Sequence, residues 1–81
     1  MLNKKYMTRF DSKIPIPLIT SREKETLILI ANELTTREIA EKLYVSHETI
    51  KTHRSNLLLK LQCKNTAGLV KKGIILGIIE L

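Results

Sequence analysis

The sequence contains no tryptophan, and its only aromatic side chains are Tyr6, Phe10 and Tyr44. With 43% hydrophobic residues over 81 positions, the composition is that of a globular chain whose core must be aliphatic. Ligand chemistry that needs aromatic stacking platforms has little to work with. The single cysteine, Cys63, excludes an internal disulfide and points to a reducing compartment. The apolar run Ile74-Ile75-Leu76-Gly77-Ile78-Ile79 is far too short to span a bilayer, so insertion into a membrane is not expected. No apolar run follows Lys4 and Lys5, so a secretory signal is not expected either. The length suits one domain rather than two. These absences leave a small basic domain, expected in the cytoplasm.

The net charge is +6 and the pI about 9.7, and the charge is unevenly placed. Residues 1–19 carry Lys4, Lys5, Arg9 and Lys13 against Asp11. Residues 20–41 are acidic on balance, with Glu23, Glu25, Glu33, Glu38 and Glu41 against Arg22, Lys24 and Arg37. Residues 42–79 hold Lys42, Lys51, Arg54, Lys60, Lys64, Lys71 and Lys72 against Glu48 alone. A basic half and a basic leader around an acidic stretch suit a face built for a polyanion. Charge alone does not choose between nucleic acid, an anionic membrane surface, an acidic protein and a merely solubilising surface.

Residues 1–18 show no helical or strand period, and Ile14-Pro15-Ile16-Pro17 is held extended by its prolines. This stretch is expected to be an extended or disordered leader to a domain at 19–81. Thr20-Ser21-Arg22-Glu23 then reads as a capping box, followed by Leu27, Ile30, Ala31 and Leu34 at helical spacing, which predicts a helix over 21–32. Thr35-Thr36-Arg37-Glu38 is a second such box, opening a short helix over 36–43 with Ile39, Ala40 and Leu43 inward. Ser46 caps a third helix that reaches residue 61. A fourth is expected over 66–76, with Leu69, Val70 and Ile74 as its apolar stripe and Gly77 as its stop. Gly68 and Gly73 within it each cost about 1 kcal/mol of helix propensity relative to Ala.

The second and third helices, joined by a short turn, have the spacing of a helix-turn-helix. In the third, Ile50, Leu57 and Leu61 fall on one face, while Lys51, Thr52, Arg54 and Ser55 point away from it. A helix entering a major groove needs short, polar and cationic side chains of this kind, and its N-terminus aims free amides at phosphates. An ordinary amphipathic helix with a solvated basic face has the same spacing. Enzyme chemistry has little support. His47 and His53 lie on different faces of one helix, Cys63 has no His or Asp at a recognisable spacing, and Glu23 and Glu25 belong to a helix start. No metal or cofactor is called for.

Four segments carry a resemblance: Ile19-Thr20-Ser21-Arg22-Glu23-Lys24-Glu25; Glu38-Ile39-Ala40-Glu41-Lys42-Leu43; Val45 through Leu57; and Lys60-Leu61, continued by Lys64-Asn65-Thr66. From Ile19 to Ile79 the chain resembles the GerE/LuxR-type helix-turn-helix domain, the DNA-binding domain of NarL/FixJ-type response regulators. The resemblance implies an all-α, four-helix bundle that controls transcription initiation, with helix 3 in the major groove of double-stranded DNA. It implies a homodimer on DNA through helix 4, in the region of Leu69, Val70 and Ile74, and RNA polymerase as a further partner. Carried over by position, Lys51, Thr52 and Ser55 fall at base-contacting places, and Thr49, Arg54 and Lys42 at phosphate contacts. His53 falls at a place that packs between helices.

The chain departs from the family pattern at several points. Glu33 and Gln62 stand where glycine usually closes helices 1 and 3, so positive φ there carries a penalty of roughly 1 kcal/mol each. Thr26 replaces an aliphatic residue and Gly73 an alanine, while Ile28 and Leu59 are apolar where relatives tend to be polar. Two other readings keep much of the architecture: a protein-interaction module contacting sigma factor, polymerase or a sensor, and a region-4-like sigma-factor domain. Lys51, Thr52 and Arg54 on the outward face argue against the first, and the fourth helix with its Lys64-Asn65-Thr66 lead-in argues against the second.

Overall fold

A computed structural model describes residues 18–80 of the chain. They form four helices and no strand: α1 (Ser21–Ala31), α2 (Thr36–Leu43), α3 (His47–Leu61) and α4 (Thr66–Ile75). The leader expected over 1–18 lies outside the described residues except for Leu18, which is exposed.

Each helix starts where a side chain satisfies its free amides. Thr20 and Thr35 form complete capping boxes: their hydroxyls accept from the amides of Glu23 and Glu38 at 3.0 and 3.1 Å, and those glutamates accept from the threonine amides. Ser46 Oγ accepts from the Thr49 amide at 3.0 Å, and Asn65 Oδ1 from the Gly68 amide at 2.9 Å. Each helix also ends in one motif, in which a left-handed residue turns two backbone amides back onto the last free carbonyls. At α1 the amides of Glu33 and Leu34 donate to Ile30 and Leu29; at α4 those of Gly77 and Ile78 donate to Ile74 and Gly73. Glu33 and Gln62 do adopt positive φ, at 71° and 56°. Tyr44, at φ 59°, does the same at the end of α2, which its residue type gave no reason to expect. Leu34 falls just past α1, and Asn32 and Leu76 are caps rather than helical residues.

Both α1 and α3 pack against every other helix, whereas α2 and α4 do not meet. The core is wholly aliphatic: Leu27, Ile30, Ile39, Ala40, Ile50, Leu57, Leu61, Leu69 and Ile79. Thr26 is also fully buried, and its hydroxyl donates to the Arg22 carbonyl at 2.8 Å, which explains how a polar residue fills an aliphatic place.

The structure corrects the expected stripe on α4. Leu69 is 0% exposed and belongs to the core, so in this fold it offers nothing to a second subunit. One turn on, Gly73 is buried as well, and a Cβ there would lie 2.6 Å from Ile79 Cδ1 and 3.1 Å from Leu27 Cδ2. Leu69 and Gly73 therefore mark the inner face of α4, against which the tail folds back after Gly77. The outward apolar residues are Ile74 and Ile75, with Val70 half-buried beside them.

Candidate nucleic-acid interface

The short loop after α2 turns at Tyr44, and Ser46 then restarts the chain as α3. One side of α3 is anchored by Ile50 and Leu57, both 0% exposed, and by Leu61 at 2%. Three and four residues separate neighbours on one face of a helix, so the opposite side collects Lys51, Thr52 and Ser55. All three are exposed, and the fold holds them on one rigid face. Lys42, near the end of α2, is exposed too.

The remaining candidates are less free. Thr49 is half-buried, and its hydroxyl lies 2.8 Å from Ser46 Oγ, so it already takes part in the cap. Arg54, expected to point away from the core, is half-buried instead, and its Nε is enclosed without a hydrogen-bond partner among the described residues. Only the outer part of its guanidinium can reach a ligand. His53 is half-buried.

Two charged residues behave differently from a simple sum of charges. Lys60 is not a free cation: its Nζ lies 2.8 Å from Glu23 Oε1, which is itself buried. Burial pushes the Glu23 carboxyl up, but hydrogen bonds from Lys60 and Thr20 and the nearby ammonium charge outweigh this and hold it below the ordinary value. Glu48 sits in the first turn of α3 with Oε2 3.7 Å from Lys51 Nζ. Their i, i+3 spacing is the signal in the sequence for this pair.

No helix among the described residues is long and apolar enough to cross a membrane. The sequence pattern of the family described as "Bacterial regulatory proteins, luxR family" matches residues 17–72. The chain is 39% identical over 72 residues to the spore germination protein GerE of Bacillus subtilis (strain 168), covering 89% of this chain and 93% of GerE. It is 40% identical over 60 residues to the response regulatory protein YgeK of Escherichia coli (strain K12), covering 74% of this chain but 41% of YgeK. The solved structure of the transcription factor GerE superposes with a TM-score of 0.74 at 27% identity, covering 76% of this chain and 92% of that one. The four-helix fold and the two matches to GerE agree, and the chain belongs to the luxR family of bacterial regulatory proteins, as a DNA-binding regulator of transcription.

Proposed function

We propose that residues 19–81 form a sequence-specific reader of double-stranded DNA, with residues 1–18 as its leader and α3 as the element that enters the major groove. The observation that carries this reading is the exposure of Lys51, Thr52 and Ser55 on one face of α3 while Ile50 and Leu57 pin the other. Lys51 donates to base acceptors, Thr52 offers a methyl and a hydroxyl, and Ser55 makes a short or water-mediated contact. Lys42, Arg54 and Thr49 face phosphates, with Arg54 contributing the outer edge of its guanidinium. A bacterial chromosome as target puts the protein in the cytoplasm. RNA polymerase is the partner that transcriptional control at such a site requires.

The homodimer on DNA forms through α4, by way of Ile74 and Ile75 with Val70 at their side rather than Leu69. Half-sites then lie roughly one helical turn, about 10 bp, apart.

Selection of bound duplexes from a random pool, followed by titration of the winner against salt, tests the reading. A motif with two half-sites is expected, with affinity falling steeply as salt rises, by about 0.9 in log–log slope per neutralised phosphate. No enrichment together with a flat salt response overturns it, and favours an adaptor that binds protein instead.

A further inference from the structure

The first turn of α3 carries an acid on the face proposed to meet DNA, where a polyanion repels it. Glu48 Oε2 lies 3.7 Å from Lys51 Nζ, and both side chains stay open to solvent, at 76% and 61%. An exposed pair at this distance adds little to stability. A carboxylate there also favours the helix dipole, but a serine or threonine would leave the fold intact without repelling phosphate.

The pair sets a group that only accepts beside a group that only donates, one helical turn apart. The major-groove edge of a G·C pair offers guanine N7 and O6 as adjacent acceptors, and then cytosine N4 as a donor. An A·T pair alternates instead: adenine N7 accepts, N6 donates, and thymine O4 accepts. Two adjacent acceptors suit an ammonium, and the donor beyond them suits a carboxylate. We propose that Glu48 is a specificity-determining residue that accepts from cytosine N4 while Lys51 donates to guanine of the same or the adjoining pair. The site bound by this chain thus carries a G·C pair at that step. The proposal rests on α3 being the groove-reading helix.

The test compares the full chain with Glu48→Ala and Glu48→Gln, each selected against one random duplex pool and then titrated on the winning duplex and its single-base variants. The wild type is expected to enrich G·C at one position of each half-site. Glu48→Ala should lose about tenfold of the discrimination at that position and leave the others intact. Glu48→Gln, nearly isosteric and able both to donate and to accept, should shift the preference there towards adenine. Circular dichroism checks that both variants fold, which the exposure of the side chain favours. If Glu48→Ala instead tightens binding to every duplex alike and keeps the motif, Glu48 only repels phosphate and the proposal is overturned. An unchanged motif and affinity overturn it too. A wild type that enriches no sequence removes the groove-reading role of α3 and this proposal with it, whereas a motif indifferent to residue 48 removes this proposal alone.

Discussion

Glu23 and Lys60 face each other across the α1–α3 contact, with Oε1 2.8 Å from Nζ, although they stand 37 positions apart in sequence. The same oxygen accepts from the Thr20 amide at 3.0 Å. One buried carboxylate thus closes the N-terminal cap of α1 and ties it to the last turn of α3. The seating of the proposed reading helix depends on a charge placed far from its reading face.

That dependence gives stability an acid limb. The Glu23 carboxyl lies below its ordinary value of 4.5, so on acidification the unfolded chain takes up this proton before the folded one. Its contribution is complete above that value and disappears as pH falls through the depressed folded pKa. Thermal melts should lose stability more steeply below this point in the wild type than in Glu23→Gln. Lys60→Met leaves the buried carboxyl with Thr20 alone and should cost about 2 kcal/mol, between the exposed-pair and buried-pair limits. It should also move the acid limb to higher pH. Identical limbs in the wild type and Glu23→Gln would locate the acid sensitivity in another carboxylate.

Glu33, Tyr44 and Gln62 close α1, α2 and α3 in the left-handed region. Each L-residue there bears strain that glycine does not, so each single glycine substitution should stabilise the domain by about 1 kcal/mol. The three sites end different helices, so their gains should nearly add, and chemical denaturation of the triple variant reads the sum. A loss of stability at Glu33→Gly or Gln62→Gly would mean that these side chains make contacts outweighing the strain.

Helix starts were legible in the sequence because capping is local. Thr20 with Glu23, Thr35 with Glu38, and Ser46 each declare a helix within four residues. The outward face of α3 was legible for the same reason, since its spacing follows from helical geometry. What escaped was non-local. The Glu23–Lys60 pair depends on how α1 and α3 cross, the burial of Leu69 on which side of α4 meets the core, and the partial burial of Arg54 on what surrounds it. Tyr44 escaped for another reason: the turn between α2 and α3 imposes its left-handed backbone, and its residue type does not ask for it.

Gly73 brings two opposing effects together. Alanine would add about 1 kcal/mol of helix propensity. Its Cβ would also meet Ile79 Cδ1 at 2.6 Å and Cγ1 at 3.0 Å, with Leu27 Cδ2 at 3.1 Å. Ile79 is buried at 6% exposure and held in a turn by its amide, which donates to the Gly73 carbonyl, so it has little room to retreat. Overpacking of about 1–3 kcal/mol should win, making Gly73→Ala a net destabilisation. Gly73→Ala combined with Ile79→Val should recover stability relative to Gly73→Ala alone. A stabilised Gly73→Ala would show that the tail swings away freely.

The division of α4 into an inner and an outer face separates folding from the proposed association. Leu69→Ala should cost about 2–5 kcal/mol of stability, as a fully buried leucine does. Ile74→Asp sits on the outer face and should leave the melt nearly unchanged while weakening cooperative binding to a two-half-site duplex. Sedimentation of the complex, with one or two copies bound, provides the readout. Intact cooperativity in Ile74→Asp would overturn the proposed dimer contact on α4.

Arg54 joins a folding cost to its proposed role at phosphate. Its Nε is buried and unpartnered among the described residues, and an unmet buried donor costs about 1–3 kcal/mol. Methionine keeps much of the apolar stem that packs against the protein and removes the donor. Arg54→Met should therefore melt no lower than the wild type, with a gain of up to about 1 kcal/mol. If the outer guanidinium meets a phosphate, the same variant should bind every duplex more weakly by a similar factor, with the log–log salt slope reduced by about 0.9. A change in which base is preferred would instead put Arg54 among the base readers, and a lower melting temperature would show that its polar end holds the fold.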